Sequence, residues 1–324
     1  MSNLGELCQH RWESILVALG VPENLLNKKH QPCPLCEGGT DRFRWTDHLG
    51  TGAYICSQCG SGDGIKFLME FTGKDFKTVA TDIESILGAT EARPPKLADP
   101  GKLKEKLNAA WCGAYPLSKG CPSHRYLLNR GLKGIKFSDV ENVRCHPAMT
   151  YWDSARGDKP VDCGKHPAML ALVVGPDGSS LTVHVTYLTP EGKKIDRKPA
   201  RKVMQSPHKY YGGAVRLQTL QPGQILCVAE GIETALAMKL LYPDLCPWAC
   251  ISSGGLERFE PPKFREMEDV QTIYIAADAD LSYTGQAAAY GLAKRLSRDY
   301  KPSVLMPAEM GSDFLDQLNT QDAA

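Results

Sequence analysis

The sequence predicts an α/β multidomain chain in three parts: a small N-terminal ribbon, an α+β middle, and a C-terminal parallel sheet flanked by helices. Three observations predict it. Two Cys-x-x-Cys pairs lie close together near the N-terminus, Cys33 with Cys36 and Cys56 with Cys59. Strand-like and helix-like runs alternate from Gln224 onward, the order that builds a parallel sheet. Between these ends a hairpin-like pair of strands is followed by a dense run of positive charge.

At 324 residues the chain has room for two or three domains with real cores. Its formal net charge is +1, so affinity for phosphate or nucleic acid must come from local clustering rather than from the field of the whole molecule. No apolar run approaches the roughly 20 residues of a membrane span. Glu6 and Glu13 interrupt the stretch where a signal peptide would keep its hydrophobic region, so the expected location is cytoplasmic, with no membrane partner. Eight of the twelve cysteines (Cys8, Cys112, Cys121, Cys145, Cys163, Cys227, Cys246 and Cys250) are scattered singly. In a reducing compartment such residues serve mostly as small buried hydrophobes.

The four paired cysteines read differently. A Cys-x-x-Cys turn converges two thiolates on one ion, and two such turns with 19 residues between them complete the closed tetrahedral shell of one structural zinc. The intervening "DRFRW" and "GAYIC" alternate apolar and polar residues, as two short strands joined by "TDHLGTG" would. So small a sheet buries little, and the metal is expected to supply its folding free energy. With four thiolates filling the shell, His30 and His48 read as loop residues. Arg42, Phe43, Arg44, Trp45 and Tyr54 offer cations and stacking faces to an unpaired strand, although the aromatics also suit the core of so small a domain. Of these, Arg42, Arg44 and Trp45 are the candidate nucleic-acid contacts.

The run "PCPLCEGGTDRFRWTD" with "GAYICSQCGSGDGIKFL" resembles the zinc ribbon at the N-terminus of phage and plasmid primases and primase-helicases. The shared order is Cys pair, Asp-Arg-Phe-Arg, Cys pair, then Gly-Asp-Gly before a helix. The resemblance implies that the ribbon helps to choose the initiation site on a single-stranded DNA template.

Residues 65–87 read as one or two short helices with "TGKDF" as break and cap, closing a first domain over 1–90. "GATEARPPKLADPGK" is rich in Pro, Gly and charge, which places a linker at 91–101. A middle subdomain over 102–222 is expected to open with a helix from Lys102 to Tyr115 and a second at "SHRYLLNRG" ending at Gly131. From His166, "AMLALVVGPDGSSLTVHVTYLT" gives two strands around a Pro-Asp-Gly turn. Between Glu191 and Arg216 eight Lys or Arg meet only two acids. Lys193, Lys194, Arg197, Lys198, Arg201, Lys202 and Lys209 are thus candidates for binding a nucleic-acid backbone or a nucleoside triphosphate, the alternative being a solvated basic loop.

From 223 to 318 the expected elements are "ILCVAE" (strand), "IETALAMKLLY" (amphipathic helix), "WACISS" (strand), "TIYIAADAD" (strand), "GQAAAYGLAKRLSRDY" (helix) and "SVLMP" (strand), with a tail over 319–324. Ligands of such Rossmann-like sheets sit beyond the carboxyl ends of the strands. Glu230 ends the first strand and Asp278 and Asp280 end the third, the last two on one face by strand alternation. Three gathered carboxylates call for cations, and oxygen ligands suit magnesium or manganese. Asp313 and Asp316 follow the last strand at the same edge. Glu233 reads either as a first-turn acid favoured by the helix dipole or as a supporting ligand.

The motifs "VAEGIETALA", "IAADAD" and "GSDFLD" resemble those of the Toprim domain of DnaG-type primases, topoisomerases and some nucleases. The resemblance implies catalytic and magnesium-binding roles for Glu230, Asp278 and Asp280. DnaG-like members often carry Asp where Thr234 stands, so Glu233 or Asp313 would complete the second metal shell. Ribbon, basic middle and Toprim in this order imply a DNA primase, a nucleotidyltransferase that joins ribonucleoside triphosphates into short RNA on single-stranded template. A Toprim-type nuclease and a catalytically silent DNA-binding accessory protein are the alternatives. A type IA topoisomerase needs a large gate, and a haloacid-dehalogenase phosphatase needs motifs after its Asp-x-Asp for which the 44 residues beyond Asp280 leave no room. No Gly-x-x-x-x-Gly-Lys-Ser/Thr element occurs, so a separate helicase or initiator is expected as partner.

Overall fold

The computed structural model describes residues 4–87, 99–153, 160–207, 210–262 and 270–321. The chain forms two compact units, residues 1–97 and 98–324. Most of the expected linker lies outside the described residues, as does Lys209.

In the first unit helices α1 (Leu4–Leu7) and α2 (Trp12–Ala18) precede a four-stranded antiparallel sheet of β1 (Gln31–Cys33), β2 (Gly38–Trp45), β3 (Tyr54–Cys56) and β4 (Gly60–Gly62), in sequence order. Helices α3 (Gly64–Thr72) and α4 (Phe76–Ile86) follow. Each starts on an aspartate whose carboxylate accepts an orphan backbone N–H: Asp63 from Lys66 at 2.9 Å and Asp75 from Thr78 at 2.8 Å. The ribbon strands share their core with the helices. Phe43, Trp45 and Tyr54 join Trp12, Ile15, Leu16, Phe67, Leu68, Val79 and Ile83 in one core, with ring centroids of Phe43, Tyr54 and Phe67 5.3–5.9 Å apart. The helices supply the apolar area that the strands lack.

The second unit opens with α5 (Pro100–Cys112), β5 (Tyr115–Pro116) and α6 (Pro122–Asn129), the last followed by Gly131 at φ 92°. Strands β6 (Val143–Asp153), β7 (Val161–Val174), β8 (Ser180–Tyr187) and β9 (Arg201–Val203) make an antiparallel sheet in the order β5-β6-β7-β8-β9. Here the β7–β8 hairpin was legible, whereas β6 and residues 161–165 of β7 were not. Next come β10 (Val215–Arg216), β11 (Ile225–Ala229), α7 (Ile232–Leu241), β12 (Leu245–Ala249), α8 (Ser253–Glu257), β13 (Thr272–Ala276), α9 (Thr284–Leu296), β14 (Lys301–Leu305) and α10 (Phe314–Gln321). The sheet order is β10-β12-β11-β13-β14, with β11, β12, β13 and β14 parallel and β10 antiparallel at the edge. Val215–Arg216 lies N-terminal to the boundary expected at 222/223, yet it pairs with β12, and α10 runs past 318.

Strand alternation divides each sheet between two cores. Cys227 and Ala229 share a core with Ile232, Ala235 and Leu236 of α7, Phe314 and Leu315 of α10, and Met169, Ala171 and Val173 of β7. Leu226 and Val228 face the other way, with Leu292 and Leu296 of α9. The first core explains why α7 departs from the amphipathic helix expected. Ile232 through Met238 are all buried, because one side of α7 meets its own sheet and the rest meets the middle subdomain and α10.

Candidate active site and zinc centre

In the first unit the Sγ atoms of Cys33, Cys36, Cys56 and Cys59 all lie within 4.8 Å of one another. Cys33 and Cys59 are 3.7 Å apart, and Cys36 and Cys56 are 4.0 Å apart. Sulfurs about 2.3 Å from a central zinc form a tetrahedron with edges of about 3.8 Å, so the four thiols fit that ion. Backbone N–H groups of Leu35, Gln58 and Cys59 donate to Cys33 or Cys56 sulfur at 3.4 Å. Burial pushes the Cys56 thiol up, but the N–H groups of Cys59 and Gln58 bring it down to about 7, within reach of the thiolate that zinc binds.

Arg42 and Arg44 are exposed beside this centre, and Arg44 Nε donates to the Lys28 carbonyl at 3.0 Å. Trp45 is 1% exposed and belongs to the core. Its assignment as a stacking face for nucleic acid is therefore corrected: strand alternation turns Phe43 and Trp45 inward and Arg42 and Arg44 outward.

In the second unit the acids gather where sequence order placed them, at the carboxyl edge of the parallel sheet. Glu230 follows β11, Asp278 and Asp280 follow β13, and Asp313 and Asp316 follow β14. The route differs from strand alternation in one respect. β13 ends at Ala276, so the Asp-x-Asp pair sits on a loop whose shape sets its direction. Asp280 Oδ2 accepts the Gly285 N–H at 3.1 Å, and Gln286 Nε2 donates to the Asp280 carbonyl at 2.9 Å. Glu230 accepts the N–H of Ser253 at the start of α8. Ile251 delivers that segment at φ 62°, unusual for a β-branched residue, and a Cβ on Gly255 would lie 2.1 Å from the Cys250 carbonyl oxygen. Gly231, by contrast, has φ −96° and needs no glycine freedom.

These carboxyls perturb one another. Burial raises Glu230, and Asp280 raises it further, against the Ser253 N–H and Arg201. Asp278 is pushed up to about 7 by burial, then by Glu230, Asp313, Asp280 and Asp316. Its Oδ1 is buried with no hydrogen-bond partner among the described residues, an orphan acceptor pointing to a cation. Asp313 is raised by burial, yet its Oδ1 also caps α10, accepting from Leu315 at 2.8 Å and Asp316 at 3.0 Å. Among the described residues the four thiols are the only group of three or more His, Cys, Asp or Glu ligand atoms that all lie within 4.8 Å of one another. The acids are thus a charged cluster at Coulomb range, not a closed single-ion cage. Their oxygen-only donor set fits a divalent cation.

Glu233 is not among the leading charges that shift Glu230 or Asp278. Its role as a metal ligand is corrected: Oε1 accepts the Tyr126 hydroxyl from α6, in the buried space under β8. Burial pushes the Glu233 carboxyl up, but Tyr126, Arg201 and Lys194 together hold it below its ordinary value. Buried His184 of β8 faces the same charges and is pushed down to about 4 by burial. Sequence reasoning missed Tyr126 and His184. The signal was the polar stripe Thr182, His184, Thr186 alternating with Val183, Val185 and Tyr187 in "TVHVTY".

The basic segment separates into two kinds of residue. Lys193, Arg197, Lys198 and Arg201 are exposed. Lys194 is half-buried 5.8 Å from the Tyr126 ring, and Lys202 lies 3.8 Å over the Tyr151 ring and donates to the Trp152 carbonyl. Among the described residues of the segment, Arg201 alone is a leading charge on both Glu230 and Glu233. A cleft of about 520 Å³ lined in part by Asn142, Arg216, Thr219 and Trp248 contains none of the five acids at the carboxyl edge.

Comparison with known families agrees with this geometry. Residues 28–65 match the zinc-binding domain of primase-helicases, and residues 225–323 match the Toprim domain. The chain pairs a primase zinc ribbon with a Toprim domain. Residues 101–217, which carry the basic segment up to Arg216, match a domain of unknown function, DUF7146. Among solved structures, the zinc-binding and RNA polymerase domains of Aquifex aeolicus primase are similar at 14% identity and a TM-score of 0.44, over 99% of this chain and 83% of that one. The RNA polymerase domain of Mycobacterium tuberculosis DnaG is similar at 16% and 0.43, over 69% and 81%. The primase fragment of the bacteriophage T7 primase-helicase is similar at 14% and 0.38, over 91% and 96%. No described helix is long and apolar enough to cross a membrane.

Proposed function

We propose that this chain is a DNA primase that builds short RNA from ribonucleoside triphosphates on single-stranded DNA. The observation that carries the reading is a primase-type zinc ribbon and a Toprim acid edge on one chain. Asp278 and Asp280, with Asp313 near enough to act on Asp278, would hold a divalent cation, magnesium or manganese. When bound, that ion neutralises triphosphate charge and so lowers the barrier to phosphoryl transfer. Glu230, held by the Ser253 N–H and biased toward accepting a proton, takes the proton of the attacking 3′ hydroxyl. The new bond joins that oxygen to the α-phosphorus, and pyrophosphate leaves. Arg201, flanked by Lys193, Arg197 and Lys198, presents positive charge to template and triphosphate, while Arg42 and Arg44 present it from the ribbon. A helicase or initiator activity supplies the unwound template.

Incubation with single-stranded DNA, labelled nucleotides and magnesium or manganese tests this. Short RNA products that vanish in Asp278→Ala support it. Degraded DNA would instead indicate a nuclease, and retention on DNA without any chemistry would indicate an accessory binding protein.

A further inference from the structure

Two loops leave the carboxyl edge of the parallel sheet side by side, residues 277–283 after β13 and residues 306–313 after β14. They are laced together: the Ala279 N–H donates to the Ser312 carbonyl at 3.0 Å, and the Gly311 N–H donates to the Ala279 carbonyl at 2.6 Å. A Cβ on Gly311 would stand 3.9 Å from Leu281 Cγ, so Leu281 rests against the second loop. These loops carry Asp278, Asp280 and Asp313, and the same loops display large apolar side chains. Leu281 is 77% exposed, Tyr283 63% and Met310 48%. Single exposed hydrophobes are ordinary, but several on two laced loops bordering an acid cluster form a contact surface.

Tyr283 adds a second observation. It occupies the left-handed region at φ 59° and ψ 13°, where an L side chain is strained and glycine or asparagine is not. Its N–H donates to the Asp280 carbonyl at 3.0 Å and its carbonyl accepts from Ala287 at 2.9 Å, which fixes the residue next to Asp280. The side chain is mostly exposed, so burial does little to offset the strain. Folding alone gives no reason for a tyrosine here.

We propose that Tyr283, with Leu281 and Met310, is a stacking rim for a base of the nucleic-acid strand whose reacting end lies at the acid cluster. The occupant is a nucleobase because the rim is apolar and carries an exposed aromatic ring, while the neighbouring acids would hold a cation suited to phosphate. One nucleotide presents both chemistries side by side, and stacking accepts any base. The proposal rests on the primase reading for what is joined, but not for what is bound.

Tyr283→Gly in the full chain removes the ring and relieves the backbone together. The expected result is a melting temperature equal to or above that of the parent, with roughly five- to tenfold weaker binding of a fluorescent single-stranded oligonucleotide in magnesium. A benzophenone side chain installed at 283 should crosslink to the oligonucleotide, and one installed at Tyr290, exposed further along α9, should not. A lowered melting temperature would make the ring structural and overturn the proposal. So would unchanged oligonucleotide affinity without crosslinking, which assigns the rim to a protein partner, or weakened binding of free nucleotide alone, which assigns it to the incoming nucleotide. Because binding is read without synthesis, a parent protein that binds DNA yet makes no RNA would defeat the primase reading and leave this test standing.

Discussion

Asp278 ties the electrostatics of the acid edge to a measurable stability. Its carboxyl is raised from an ordinary 3.8 to about 7, and one of its oxygens is buried without a hydrogen-bond partner among the described residues. The folded protein therefore binds a proton at Asp278 that the unfolded chain has already released between pH 4 and pH 7. Stability from this group is full below pH 4, falls as pH rises toward 7, and stays low above it. A difference of this size corresponds to about 4 kcal/mol, and partial solvent access at the open edge reduces the expected penalty to about 2–3 kcal/mol. Asp278→Asn keeps the shape and deletes the charge. In EDTA at pH 8 the variant should melt about 5–10 °C above the parent, while at pH 4 the two should nearly coincide. Adding magnesium should stabilise the parent and hardly move the variant, which should also make no primers. Calorimetry of both proteins at the two pH values, with and without magnesium, reads all of this. A variant no more stable than the parent at pH 8 in EDTA would refute the reasoning, because Asp278 would then be neither buried nor crowded by acids in the folded chain.

Three further outcomes follow from other parts of the molecule. Chelating zinc, or Cys36→Ser, should raise hydrogen exchange at residues 31–37 and 56–62 while amides of α2, α3 and α4 stay protected, because those helices share an aromatic core. Tyr126→Phe should cost about 1–3 kcal/mol in urea unfolding by leaving Glu233 short of a donor, and Tyr126→Phe with Glu233→Leu should lose less than the two single changes added together. His184, held down at about 4, is neutral when folded. Its contribution is full above pH 6.5 and is lost as pH falls toward 4, by up to about 3 kcal/mol, so His184→Phe should flatten the urea midpoint between pH 7 and pH 4.5.

Spacing and order made the two chemical centres legible. Cys33, Cys36, Cys56 and Cys59 could be read because a knuckle is a local structure: four residues dictate where two sulfurs point. The carboxyl-edge acids could be read because each follows a strand, and parallel strands all end on the same side. Trp45 was misjudged because its alternation with Arg44 says that the two face opposite ways, but not which way is inward. That depended on α2, α3 and α4 arriving from elsewhere in the sequence. Strand β6 was missed because its pattern, "VRCHPAMTYWD", is interrupted by Pro147 and by two register shifts.

The sequence by itself determined the elements and the chemistry carried at their ends, since both depend on residues close together in the chain: metal knuckles, strand periods, helix caps and the acids that follow strands. Tertiary structure alone decided what those residues meet. It turned Glu233 away from the acid edge toward Tyr126, set His184 among its charges, buried α7 on every side, and left Tyr283 exposed in a strained turn beside Asp280. The physical reason is that burial and charge interaction are set by neighbours in space. Tyr126 and Glu233 are 107 positions apart in sequence, and only the folded core brings them within one hydrogen bond.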